Sequence, residues 1–391
     1  MKYNFDEVVD RRGTDSEKVE GVKHFWGRDD LMPMWVADMD FRTPPFVINV
    51  IKERLNHEIL GYTFKSESWY ASIVNWAKQR YNWEITREML VFTPGIVPGF
   101  AMAIQRFTQP GDKVMVQPPV YHPFFLVAQR NKREVVYNPL IFENGQFRMN
   151  MDLFKEQIKG CKLFILCNPQ NPSGRVWTKE ELQEVAQVCY DNNVPVVSDE
   201  IHADLTFPPH VHHPFASVSE EARMNSIVLM SPSKAFNMPG LSSAYAIIPN
   251  KEIRAKFEEQ VSANSVGEGH VFAFTTIAAA YSNGTEWLDQ MLSYVIGNVT
   301  YMEQFLEEYV PKIKVVRPQA TYLVFLDCSE LGLSPSELAK FFENGAHLAL
   351  NNGAMFGKGG EGFMRINVAC PRSVLEKAMG QLREAYQGLG E

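Results

Sequence analysis

The sequence has no hydrophobic run long enough to cross a bilayer. Its most apolar tract, Val271 to Tyr281, falls well short of the roughly 18 apolar residues that a spanning helix needs. It also lacks the marks of a secretory leader. Met1 to Gly13 mixes Lys2, Asp6, Glu7, Asp10, Arg11 and Arg12 with single apolar residues, and has no small-residue cleavage site. Cysteine is scarce: five residues in 391 (Cys161, Cys167, Cys189, Cys328 and Cys370), an odd number without a CxxC pair. This argues against a disulfide framework or a Cys-rich zinc site, and predicts a reducing, cytoplasmic address. Excess positive charge is missing too. With 38 Lys+Arg against 46 Asp+Glu the formal charge is -8, so no broad nucleic-acid footprint is expected. A local pocket can still attract a small anion. Repeats and low-complexity blocks are also absent, and 45% hydrophobic with 21% charged residues is ordinary for a globular protein.

The middle of the chain alternates between strand and helix patterns. Strands are predicted at Val114 to Val116, Lys162 to Cys167, Val194 to Ser198, Ser226 to Met230 and Ala244 to Ile248. Between the second and third lies a dense turn, Asn168-Pro169-Gln170-Asn171-Pro172-Ser173-Gly174, then a helix. Thr178 and Glu181 have capping-box spacing there, and Leu182, Val185, Ala186 and Cys189 form its apolar stripe. This alternation implies an α/β domain with a largely parallel sheet. Towards the C-terminus the pattern changes to a long helix from about Trp287 to Tyr309, a strand at Tyr322 to Leu326 and a helix near Ser334 to Phe342. A strand at Met364 to Val368 and a helix from Ser373, with Ser373 and Glu376 at capping-box spacing, follow. The expected division is a large domain over 45–285 and a smaller α+β unit made of 1–44 and 286–391.

In open α/β sheets, ligands bind beyond the carboxyl ends of the strands. Three polar residues fall there: Asn171 after Cys167, Asp199 after Ser198 and Lys234 after Met230. Singly they read as a turn amide, a helix-capping carboxylate and a surface amine. Together they describe the needs of pyridoxal phosphate. A lysine forms a Schiff base with it, a carboxylate keeps its ring nitrogen protonated, and an amide hydrogen-bonds its ring oxygen. The phosphate needs donors. Thr93-Pro94-Gly95-Ile96-Val97 opens an apolar helix, and a helix start offers free N–H groups to an anion.

These motifs, with Ser231-Pro232-Ser233-Lys234-Ala235-Phe236-Asn237 and Met364-Arg365-Ile366-Asn367-Val368, stand in the order found in fold type I pyridoxal phosphate enzymes. Nearly the whole chain resembles the aminotransferase class I/II superfamily. Within it, the MalY/PatB-type cystathionine β-lyases are the nearer likeness. That likeness rests on Met34-Trp35-Val36-Ala37-Asp38-Met39-Asp40-Phe41, Pro118-Pro119-Val120-Tyr121-His122-Pro123-Phe124, Phe236-Asn237-Met238-Pro239-Gly240-Leu241 and Asn367-Val368-Ala369-Cys370-Pro371-Arg372. The resemblance implies that Lys234 is the Schiff-base lysine and Cα base, Asp199 the partner of the ring nitrogen, and Asn171 the ligand of the ring oxygen. Tyr121 would stack on the ring, making Lys234, Tyr121 and Asp199 the catalytic set. Gly95, Ile96, Val97 and Ser231 would cradle the phosphate. Tyr62 would reach it from the second subunit of a homodimer. Arg365 would clamp the substrate α-carboxylate, with Asp38 and Asn171 also at the substrate.

Two positions depart from the aminotransferase pattern. His202 stands where a tyrosine follows the aspartate, and Ser242 where a phosphate-binding arginine follows the lysine. His202 either touches the cofactor or shapes the pocket. The expected activity is elimination of a thiol from L-cystathionine or a related S-substituted cysteine, giving pyruvate and ammonia. A class I/II aminotransferase is the competing reading, and a fold relative without turnover is a third. Three further motifs are set aside. Ser231-Pro232-Ser233-Lys234 matches the S-x-x-K of β-lactamases, but no K-T-G accompanies it. Gly357 to Gly362 matches G-x-G-x-x-G but precedes a strand. His210, His212 and His213 lie among prolines and read as a solvent-exposed loop; no metal site is expected.

Overall fold

The structure, a computed structural model, describes residues 2–389. Its central sheet has seven strands: β1 (Leu90–Thr93), β2 (Lys113–Val116), β3 (Glu134–Tyr137), β4 (Cys161–Cys167), β5 (Val196–Asp199), β6 (Ser226–Met230) and β7 (Ala244–Ile247). They lie in the order β1-β7-β6-β5-β4-β2-β3. Only β7 runs against its neighbours. The apolar run in β4 shows why the sheet is central. Leu163, Ile165 and Cys167 join the buried cluster on one face, while Phe164 and Leu166 join that on the other. A parallel sheet covered on both faces buries every position of such a run.

Helix α1 (Ile96–Phe107) covers one face. At Gly99 it approaches so closely that a Cβ would stand 2.9 Å from the Leu229 Cδ2. Helix α2 (Lys179–Asp191) starts at the Thr178–Glu181 capping box and buries Leu182, Val185, Ala186 and Cys189 against the other face. Beyond the sheet, the long helix α3 (Thr285–Tyr309) leads into an antiparallel sheet. Its strands are β8 (Lys314–Val316), β9 (Leu323–Asp327), β10 (Asn351–Asn352) and β11 (Phe363–Asn367), ordered β8-β9-β11-β10. Helix α4 (Arg372–Gln387) packs on α3 and closes the described chain. The N-terminal segment joins this part: Met32–Pro33 pairs with Leu348–Ala349.

Three local expectations are corrected. The strand expected from Val194 begins at Val196, because Pro195 has no N–H to give to a ladder. Ser373 and Glu376 do not form a capping box. The Arg372 N–H donates to the Tyr294 hydroxyl at 2.7 Å, α4 starts there with Pro371 as its cap, and Ser373 is already inside the first turn. His212 is not exposed: it is buried, with Nε2 2.8 Å from the buried Glu200 carboxylate. Trp69, Trp76 and Trp83 are core residues, and the glycine loop does precede a strand, β11. Among the described residues no helix is long and apolar enough to cross a membrane, and no cluster of His, Cys, Asp or Glu is placed to hold a metal.

Candidate active site

Strands β4, β5 and β6 run side by side, so their carboxyl ends release three loops at one edge. Asn171, Asp199 and Lys234 all line one cavity there, of about 230 Å³. Gly95, Ile96, Val97, Tyr121, His202 and Ser231 line the same cavity. A larger cleft, of about 680 Å³, lies between the segment after His202 and α3; it contains none of these groups.

The Lys234 amine donates to the Ala37 carbonyl at 2.6 Å. Burial pushes its pKa down to about 8, against the opposing pull of the Asp38 carboxylate. Asp199 shows the opposite effect of the same desolvation. Its carboxyl is buried, accepts the Ile201 N–H at 3.1 Å and is pushed up to about 7. A buried carboxylate of this kind gains from a cationic partner. Burial likewise raises the Tyr121 phenol and lowers His202 to about 3, so His202 is neutral.

The start of α1 forms another part of the cavity. Gly95 is its cap, and the N–H groups of Ile96 and Val97, in the first turn, precede any possible intrahelical acceptor. The Ser231 hydroxyl donates to the Ser243 carbonyl at 2.7 Å and accepts the Ser233 N–H at 3.1 Å. Ser242 and Ser243 also line the cavity, and the buried Ser243 hydroxyl has no partner among the described residues.

Arg365, on β11, lies one hydrogen bond beyond the cavity. Its Nη1 donates to the Asn171 Oδ1 at 3.0 Å, and its Nη2 to the Asn351 Oδ1 at 2.6 Å and the Trp35 carbonyl at 3.1 Å. The guanidinium lies over the Phe356 ring, 4.8 Å from its centre. The buried Nε–H has no partner among the described residues, and burial lowers the pKa to about 10.

Besides Arg365, two other expected site residues stand outside the cavity. Asp38 holds Arg11 in a two-point contact, at 2.6 and 2.9 Å, and faces a neighbouring cleft. Tyr62 is fully exposed, at 107% relative accessibility, and takes no part in the cavity of its own chain.

The sequence reading missed what fastens the segment Trp35 to Phe41 over the lysine. Asn367 donates to the carbonyls of Val36 and Asp38, at 2.7 and 2.6 Å. Asn237 accepts the Met39 N–H and donates to the carbonyls of Met39 and Phe41. Tyr322 donates to the Ala37 carbonyl at 3.1 Å. These partners lie roughly 200 to 330 residues away along the chain, so spacing carries no trace of them. The signal available was an amide, Asn237 or Asn367, inside each quoted motif.

The residues fit pyridoxal phosphate. The buried Asp199 carboxyl, raised chiefly by desolvation, suits a protonated ring nitrogen. His202 Nδ1, Ser243 Oγ and Arg365 Nε, in or beside the cavity, have no partner among the described residues and offer polar contacts to a ligand. The α1 start suits a phosphate. An amine brought near neutrality suits an aldehyde.

Fold and site together define a fold type I, pyridoxal phosphate-dependent protein. The chain is 41% identical to cystathionine beta-lyase PatB of Bacillus subtilis over 98% of its own length and 99% of that protein. It is 33% identical to protein MalY of Escherichia coli, covering 99% and 100%. The crystal structure of the PLP-bound C-S lyase from Staphylococcus hominis superposes with a TM-score of 0.91 at 37% identity, covering 98% of each chain. Residues 29–382 match the model for aminotransferase class I and II, and the chain belongs to that family.

Proposed function

We propose that this chain is a carbon–sulfur β-lyase that eliminates a thiol from L-cystathionine or a related S-substituted L-cysteine, leaving pyruvate and ammonia. The observation that carries the reading is the convergence of Asn171, Asp199 and Lys234 on one cavity at the ends of three parallel strands. When bound, pyridoxal phosphate supplies an electron sink for the negative charge left at Cα. Lys234 takes the Cα proton. A buried amine already lowered to about 8 is neutral often enough near physiological pH to do so. Asp199 would keep a proton on the ring nitrogen, and Asn171 would bind the ring oxygen. Tyr121 would pack against the ring, with the neutral His202 imidazole lining the same cavity. Gly95, Ile96, Val97 and Ser231 would hold the phosphate. Arg365 orients the substrate carboxylate through its unpartnered Nε–H, its plane fixed by Asn171, Asn351 and Phe356.

In this reading residues 45–285 are the cofactor domain. Residues 1–44 and 286–391 bring Arg365 and the segment over Lys234 to it. The working form is a homodimer. Tyr62, together with Ile59, Leu60 and Phe64, is strongly exposed on one stretch of chain, which suits an arm covered by a second copy. Five free, buried thiols agree with a reducing cytoplasm. With cystathionine as substrate the released thiol is homocysteine, which feeds methionine synthesis. Asp38, held by Arg11, acts on the substrate only as a nearby charge.

The test is an assay with pyridoxal phosphate and L-cystathionine but no 2-oxo acid, following pyruvate and thiol together, with Lys234→Ala as control. Equal release of both products, lost in the variant, is expected. Amino-group transfer that waits for a 2-oxo acid would replace the lyase with an aminotransferase.

A further inference from the structure

We infer that Tyr322 is a positioning residue for Lys234, acting through the carbonyl oxygen of Ala37. The inference rests on Lys234 being the cofactor lysine. Lys234 and Tyr322 donate to this one oxygen at 2.6 and 3.1 Å. A carbonyl oxygen has two lone pairs, so the two donors fill it. The oxygen cannot drift with the amine. The carbonyls on either side, of Val36 and Asp38, are both tied to Asn367, and Met39 is tied to Asn237. Tyr322 is itself fully buried in front of β9.

The lysine of such a site is released from the cofactor during each turnover and must return. Whenever it is free, the fixed oxygen of Ala37 gives it an address. Tyr322 sets how tightly the amine is held there. Its proton draws electron density from the shared oxygen, which weakens the oxygen's preference for an ammonium. Hydrogen bonding to a charged form favours that form. Weakening the bond therefore favours the neutral amine, the form that can accept the Cα proton and that, in cofactor uptake, would condense with the aldehyde with loss of water. The other groups around the amine are Asp38 and Glu17 from the N-terminal segment, Asp199 at the end of β5, His202 after it, and Arg365 on β11. Tyr322→Phe leaves all of them in place.

The test uses cofactor-free protein. Wild type and Tyr322→Phe are mixed with pyridoxal phosphate across a range of pH, and the growth of the lysine-linked absorbance is timed. In the variant the pH midpoint of the uptake rate rises by about half to one unit, slowing uptake near neutrality about three- to tenfold. Under turnover, kcat falls near neutrality and recovers at high pH while KM for L-cystathionine holds. Tyr322→3-fluorotyrosine, a stronger donor, moves the midpoint down and covers the case in which phenylalanine is not tolerated. Tyr245→Phe is the control: it loses a buried hydroxyl, paired with Tyr281 at 2.7 Å, away from Ala37. An unmoved midpoint in both Tyr322 variants, or an equal shift in Tyr245→Phe, would overturn the inference. Failure of wild type to take up the cofactor at all would overturn the reading beneath it.

Discussion

Replacing Asp199 by asparagine should stabilise the cofactor-free protein while disabling the enzyme. The carboxyl is buried, and its pKa rises from the ordinary 3.8 to about 7, chiefly through desolvation. Below the ordinary value the folded and unfolded forms are both protonated, and burial of the group carries no charge penalty. As pH rises, the unfolded chain ionises first, so folding loses stability through the window from 3.8 to about 7. Each pH unit in that window is worth about 1.4 kcal/mol, so the loss approaches about 4 kcal/mol at pH 8. Asparagine has the same shape and does not titrate. Urea unfolding of both cofactor-free proteins between about pH 5 and 8 should show the variant's advantage growing from about 2 to about 4 kcal/mol. Pyridoxal phosphate should close that gap, because only the carboxylate gains a cationic partner. Elimination by the variant should fall by about a hundredfold or more, as an amide cannot keep the ring nitrogen protonated. A stability difference that does not change with pH would refute the reasoning.

Arg365→Lys should raise KM for L-cystathionine about ten- to a hundredfold with a smaller loss in kcat, since an ammonium cannot span Asn171 and Asn351 while presenting a second donor to a carboxylate; steady-state kinetics decide it. Gly284→Ala places a Cβ 2.3 Å from both the Ala280 carbonyl and the Phe236 ring. It should cost about 3 kcal/mol in urea unfolding and weaken cofactor affinity, because Phe236 sits two residues from Lys234. Asn237→Ala leaves the Met39 N–H and the carbonyls of Met39 and Phe41 without this partner. The loss should be about 2 kcal/mol, with faster hydrogen exchange at Met39 than in wild type.

What could be read from the sequence follows from how far each signal reaches along the chain. The α/β pattern was legible because β4 to β6 are short apolar runs ended by polar residues. The rule that ligands sit beyond strand ends then singled out Asn171, Asp199 and Lys234 without any contact information. The Thr178–Glu181 box formed because its partners are three residues apart and nothing else competes for them. The Ser373–Glu376 box had the same spacing and failed, because the helix already starts at Arg372, whose N–H is met by Tyr294 from another helix, and Ser373 falls inside the first turn. Asp38 was placed at the substrate by resemblance, and nothing in its motif announces Arg11, 27 residues earlier, which holds it. His212 was assigned to solvent on the strength of neighbouring prolines, yet its partner Glu200 belongs to the loop that follows β5. Tyr322 and Asn367 were read as strand residues, which is what their local sequence says. Their bonds to the segment over Lys234 arise only when the N- and C-terminal parts of the chain meet.

The most direct measurement of the central claim is chemical mapping of the cofactor lysine. The protein is loaded with pyridoxal phosphate, reduced with borohydride, digested and analysed by mass spectrometry. The account predicts a phosphopyridoxyl group on Lys234, absent from the Lys234→Ala protein treated in the same way. The group on a different lysine, with Lys234 unmodified, would contradict it.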